Sequence, residues 1–186
     1  MQLNNLNPGD LLFFWGSDFQ SRCISLATWG PCHVGIITKY DDRLLLAEST
    51  TNCPHPCVIQ NKIVRGVQFH FIDERISDYS GGKVQVCHMV NECALSEDKI
   101  VILNKILMSY VGVTYDMNTA VLSAAPFIKM LPYPDESSLF CSALVARIYQ
   151  ILNRMNWSNP EIYFPAGLRR SLLWSAVIKP GQVIYP

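Results

Sequence analysis

The chain has 186 residues, and its 15 Lys+Arg balance 15 Asp+Glu, so the formal charge is zero. Charged residues make up only 16% and hydrophobic residues 49%, which provides for a real core and excludes a disordered tail, a coiled coil and a collagen. A neutral chain also lacks the positive field of a basic nucleic-acid-binding module, so no nucleic-acid partner is expected.

The opening stretch, MQLNNLNPGD, has neither a positive n-region nor an apolar h-region, so a secretory signal is not expected. No run of 18 apolar residues occurs, so a transmembrane helix is not expected either. The seven cysteines (23, 32, 53, 57, 87, 93 and 141) are odd in number. Without a signal they suggest free thiols in a reducing, cytoplasmic compartment.

In chain order, Asn7-Pro8-Gly9-Asp10 predicts a turn that feeds a buried strand over Leu11–Trp15. Ser17-x-x-Gln20 reads as a capping box for a short helix to about Trp29, stopped by Gly30-Pro31. Residues 33–39 (HVGIITK) and 43–51 (RLLLAESTT) read as an antiparallel hairpin around Tyr40-Asp41-Asp42. Both faces of that hairpin are largely apolar, which predicts a sheet covered on both sides. Residues 64–71 and 83–90 alternate as strands, and Ser96 caps a helix with Ile100, Leu103, Leu107 and Tyr110 on its apolar face and Gly112 at its end. Residues 113–136 are long for a loop. Ser137 or Ser138 then caps a helix to about Asn153, with Phe140, Leu144, Ile148 and Ile151 on one face. The tail is interrupted by prolines, with one strand near residues 176–179. Strands and helices in blocks predict an α+β fold with a central antiparallel sheet, in a single domain over residues 1–186.

Cys141 is the most informative cysteine. In the first turn of a helix it would meet free N–H groups and partial positive charge, which favour a thiolate and can serve an oxyanion. The bland alternative is a small buried residue at a helix start. Glu48 lies inside an otherwise apolar strand, is expensive to bury unpaired and needs a partner. A two- or four-residue hairpin loop sets Gly35 opposite Glu48 and His33 opposite Thr50, so His33 and Glu48 share a face as diagonal neighbours. An odd loop would part them. Cys32 alternates to the other face. Cys53-Pro54-His55-Pro56-Cys57, with Cys87, His88 and Cys93, is the competing chemistry. Its residue types suit zinc, though the spacing is not that of a usual knuckle. His70, between Phe69 and Phe71, reads as a strand-surface histidine, and Arg169-Arg170 is too short for a nucleic-acid patch.

Taken together, Gly9-Asp10-Leu11-Leu12-Phe13, His33-Val34-Gly35-Ile36, Glu48-Ser49-Thr50, Gly112-x-x-Tyr115-Asp116 and Phe140-Cys141-Ser142-x-Leu144-Val145 resemble the circularly permuted branch of the NlpC-type papain-like cysteine hydrolases. That branch takes in YiiX-like enzymes, a poxvirus virion-protein family and the lecithin–retinol acyltransferase relatives. The likeness covers residues 8–153. It implies a papain-like fold whose central sheet packs against the helix carrying the cysteine. It also implies Cys141 as nucleophile, His33 as base, Glu48 as the third polar residue and Tyr115 near the oxyanion. Two positions depart from the YiiX-like pattern: Ala143 stands where a Glu is usual, and Thr114 where a Pro is common.

The expected activity is hydrolysis of, or acyl transfer from, an amide or ester, with no metal or cofactor. The expected substrate is a small molecule, a peptide or an acyl amide. Apolar residues 119–133, within a lid or insertion at 117–136, suggest an acyl-chain wall or a peripheral membrane contact. The alternatives are a catalytically silent binding or virion component and a small zinc-stabilised module. Oligomeric state is left open.

Overall fold

The computed structural model describes residues 5–51, 53–114 and 140–186. In chain order it contains β1 (Leu11–Trp15), α1 (Phe19–Thr28), β2 (His33–Tyr40), β3 (Arg43–Thr50), β4 (Gly66–His70), α2 (Ile72–Ser77) and β5 (Lys83–Met89). These are followed by α3 (Glu97–Ser109), α4 (Cys141–Ile151), α5 (Pro165–Trp174) and β6 (Ile178–Ile184). The strands form one sheet in the order β4-β3-β2-β1-β5-β6, and every neighbouring pair is antiparallel. The α+β architecture is therefore as the sequence predicts.

Both faces are covered, because strand residues of both parities are apolar. Leu11, Phe13, Val34, Ile36, Val67 and Phe69 meet Leu103 and Leu107 of α3, the buried face of α4, and Leu168 and Leu172 of α5. Leu12, Phe14, Ile37 and Leu46 meet Ile72 and Ile76 of α2, with Tyr79 packed alongside. The same parity places Gln68 and His70 on the α2 side. His70 is completely buried, which corrects its reading as a surface histidine: a short helix covers the face expected to meet water.

The hairpin register is the predicted one. Asp41 and Asp42 both have positive φ, 45° and 60°, the signature of a two-residue turn that matches strand twist. Pairing runs from Tyr40↔Arg43 to Ile36↔Ala47. Beyond that, β2 stays with β1 down to Phe14↔His33, and β3 stays with β4 out to Thr50↔Gly66. The sheet thus splits between β2 and β3 at the end carrying His33 and Glu48. Helix α4 packs on these two strands.

The turn before β1 acts as a clip. Gly9, at φ +96°, donates its N–H to the Ile37 carbonyl, and its own carbonyl accepts from the buried Tyr149 hydroxyl of α4 at 2.7 Å. A Cβ on Gly9 would stand 2.5 Å from Met89 Sδ. Asp10, 1% exposed, accepts from the N–H groups of Asn7 and Met89 at 2.9 Å and bonds His88 Nδ1 at 2.8 Å. Asp10→Ala orphans the buried Met89 N–H and is expected to cost about 1–3 kcal/mol, read as a lower melting temperature with the reactivity of Cys141 unchanged.

Four local expectations need correction. Helix α1 is capped by Asp18, whose side chain accepts from Ser21 N–H, not by Ser17; aspartate so placed meets an orphan donor as well as serine does. Helix α4 starts at Cys141 with Phe140 as a cap that makes no side-chain bond, and Ser137 and Ser138 lie outside the described residues. Helix α3 is capped at Ser96 as expected, but its C-cap is Tyr110, so Gly112 (φ +90°) sits one residue past C′. The tail carries a full helix, α5, with Pro165 at its start, and β6 runs longer than expected.

Candidate active site

Cys141 occupies the first position of α4. The first main-chain bond of that helix joins Leu144 N–H to the Phe140 carbonyl. The N–H groups of Cys141, Ser142 and Ala143 thus lie outside the helical ladder, as they do at any helix start. The thiol is 3% exposed. His33, at the start of β2, hydrogen-bonds Cys141, and its Nε2 bonds Glu48 Oε2. That leaves Nδ1 for the sulfur. The His33 ring packs against Phe14, with centroids 5.6 Å apart, and Phe14 in turn packs on Tyr79 at 4.4 Å. The structure therefore brings Cys141, His33 and Glu48 into one line. Tyr115 lies outside the described residues, as do residues 117–136, where a lid or insertion is expected, and the apolar stretch 119–133.

Glu48 is completely buried, and a second partner explains how it can be. Arg75 of α2 donates from Nε to Oε1 and from Nη2 to Oε2, the latter at 3.3 Å. Its Nη1 reaches Asp78 Oδ2 at 2.8 Å, and Asp78 Oδ1 bonds His55 Nε2 at 2.9 Å. Burial alone would push the Glu48 carboxyl up; the Arg75 charge and the His33 bond outweigh it and hold it well below the usual carboxylate range. Burial also opposes protonation of His33, but the charge and hydrogen bond of Cys141, then those of Glu48, raise it to about 10. Cys141 and Glu48 together thus favour the protonated form of His33.

Arg75 is the residue that sequence reasoning missed. Its signal was the requirement already stated, that a buried Glu needs a partner: a single histidine answers one oxygen only. Ile72 and Ile76, four apart, mark the helix that delivers it.

The cysteine-rich loop does not converge. Cys57 lies in the core and accepts from Phe69 N–H, His55 turns to Asp78, and His88 turns to Asp10. Among the described residues the one group with metal-ligand spacing is Glu48, Cys53 and His70, whose ligand atoms lie within 4.8 Å of one another. It fits a cation poorly. Both Glu48 oxygens are engaged by Arg75, whose fixed positive charge stands beside the site. Burial pushes the Cys53 thiol up to about 11, which adds to the cost of forming the thiolate that a metal needs.

A thiol that opens a helix and faces an imidazole braced by a carboxylate is the working arrangement of papain-like cysteine hydrolases, and the histidine strand here precedes the cysteine helix, which is the permuted order. The family model of the permuted papain-like amidase enzymes, YaeF/YiiX, C92 family, matches residues 5–170, and the chain belongs to that family. The fold is similar to the crystal structure of the metalloprotein YiiX from Escherichia coli O157:H7, at 18% identity and a TM-score of 0.64, over 97% of this chain and 98% of that one. No curated protein matches the sequence.

Proposed function

We propose that this chain is a cysteine amidase in which Cys141 is the nucleophile, His33 the base and acid, and Glu48 the group that orients and charges His33. The observation that carries the reading is the buried line from Cys141 through His33 to Glu48, with the sulfur at the first position of a helix. The Cys141 sulfur adds to the amide carbonyl carbon, and the oxygen takes up the negative charge. The N–H groups at the start of α4 offer that oxygen hydrogen bonds. Imidazolium His33 gives its proton to the leaving amine as the C–N bond breaks, leaving a thioester on Cys141. Neutral His33 then takes a proton from water, which attacks the thioester and releases the acid, leaving Cys141 thiolate beside imidazolium His33. An alcohol or amine in place of water would make the reaction an acyl transfer.

The family's amidase character favours an amide over an ester, and an acyl amide or a peptide is the proposed substrate class. YiiX is described as a metalloprotein, but its metal is not carried over to this chain, because Arg75 stands beside the nearest donor set. No helix among the described residues is long and apolar enough to cross a membrane.

The test is a panel of acyl amides and peptide amides, with mass spectrometry for an acyl adduct on Cys141. An adduct that forms on wild type and hydrolyses supports the amidase; no adduct with any member favours a binding module. A simpler reactivity check precedes it. Brief iodoacetamide treatment at pH 6 is expected to label Cys141 ahead of the exposed Cys23. Cys53 and Cys87, both pushed up to about 11 by burial, should label slowest. Preferential labelling of Cys53 would count against the assignment.

A further inference from the structure

We propose that Arg75 is a positioning residue for the Cys141–His33 pair, acting through Glu48 and braced by Asp78. The proposal rests on the catalytic reading above for its purpose. Its physical content, that Arg75 sets the charge and aim of Glu48, stands on the geometry. Arg75 is 2% exposed and Glu48 is completely buried, so neither charge can be satisfied by water. Arg75 grips the carboxylate with a fork, Nε on one oxygen and Nη2 on the other. A fork fixes the carboxylate plane as well as its charge. Glu48 Oε2 is shared between this fork and His33 Nε2, so the plane that Arg75 sets is also the direction offered to the imidazole.

The fork is itself held. Nη1 is tied to Asp78, and Asp78 to His55. The guanidinium lies over the Tyr79 ring at 5.2 Å, and that ring supports Phe14, which packs on His33. One short stretch, 75–79, thus reaches His33 by two routes, through the carboxylate and through stacked rings. Among the described residues, the other titratable groups facing the line are Cys53 and His70 beside Glu48, and Cys32 beside Tyr79. None of these supplies a fixed positive charge.

Charge balance gives the sign of the effect. In the reactive thiolate–imidazolium form, the four charges of Cys141, His33, Glu48 and Arg75 sum to zero. Without the guanidinium the cluster is buried with one negative charge too many, and it relieves this by binding a proton. A thiolate is a much stronger base than a carboxylate, so the proton goes to sulfur. The nucleophile is then lost although Cys141, His33 and Glu48 are all present.

The experiment follows Cys141 alkylation by iodoacetamide from pH 5 to 9 in wild type, Arg75→Met, Arg75→Lys and Asp78→Asn, with Cys23 as internal reference. It also records ¹⁵N spectra of the His33 ring and a melting curve for each protein. Arg75→Met should slow Cys141 at pH 6 roughly tenfold or more relative to Cys23 and move its pH profile upward. Arg75→Lys keeps the charge without the fork and should recover part of the loss. Asp78→Asn frees Nη1 but also removes a negative charge, so it should leave Cys141 closer to wild type than Arg75→Met does. A purely structural Arg75 predicts lower melting with an unchanged Cys141 profile and unchanged His33 signals, and that result overturns the proposal. If Arg75→Met does not fold, the same criteria apply to Arg75→Lys. If wild-type Cys141 proves no faster than Cys23 at pH 6, the amidase reading fails. The His33 spectra then decide the role of Arg75 alone: moved signals uphold it and unmoved ones reject it.

Discussion

Cys141→Ala should remove amide turnover by about 10⁴-fold or more while the protein folds as before. The side chain is small, alanine suits the first position of a helix, and no other described residue offers a thiol to His33. His33→Ala should be nearly as damaging, and the double variant little worse than either, because members of one catalytic unit are not additive. A second readout needs no substrate. Burial works against the charge on His33, and Cys141 is the largest of the influences that overcome it. Removing the sulfur should therefore bring the His33 titration down from about 10, followed by NMR of the labelled ring. An unmoved His33 titration in Cys141→Ala would refute the pairing of these two groups.

Glu48→Gln should lower both reactivity and stability. An amide can still accept from imidazole, but it cannot balance imidazolium, so Cys141 alkylation at pH 6 should fall. It also takes from the buried Arg75 the carboxylate held by its fork and leaves it only Asp78, a loss of about 3 kcal/mol. The pH dependence separates these contributions. The Glu48 carboxyl is lowered on folding, so its stabilisation is present above the unfolded value near 4.5 and fades as pH falls below it. His33 is raised, so its stabilisation is full below 6.5 and fades as pH climbs towards about 10. Wild type should melt highest between those limits. Glu48→Gln should flatten the acid side of that curve and end the alkaline decline at lower pH. Melting curves from pH 3 to 10 test this, and a variant that tracks wild type across the range would remove Glu48 from both roles.

The legible parts of the sequence are those governed by local rules. The His33–Glu48 neighbour relation followed from a turn at Asp41-Asp42 and the period of two in a strand. Cys141 in the first turn of a helix followed from a serine cap expected at 137 or 138, and the helix in fact begins at Cys141 itself with Phe140 as its cap. The parts that escaped depend on what packs over what. Alternation in 64–71 correctly separates Phe69 from His70, but it cannot say that α2 covers the His70 face. Six residues with two isoleucines are too few to announce a helix, so Arg75 went unseen. Helix α5 hid behind prolines that in fact begin it, since proline suits a first helical position. Pro180 spoke against a strand, yet β6 is the sheet edge, where a missing N–H costs little.

The permuted order has a consequence for the sequence of events during synthesis. The imidazole, its carboxylate and the arginine all come from residues 33–75, on elements that follow one another closely, whereas the reacting thiol arrives with α4 at residue 141. A nascent chain can lay down β2, β3, β4 and α2 and close the His33–Glu48–Arg75 contacts before Cys141 has been made. Reactivity then appears late, in one docking step, when the start of α4 meets the split between β2 and β3. Contacts that join residues more than a hundred apart are slow to form, so this docking is a natural rate-limiting stage. Until it happens, the growing polypeptide holds the base and its supports without the sulfur they serve.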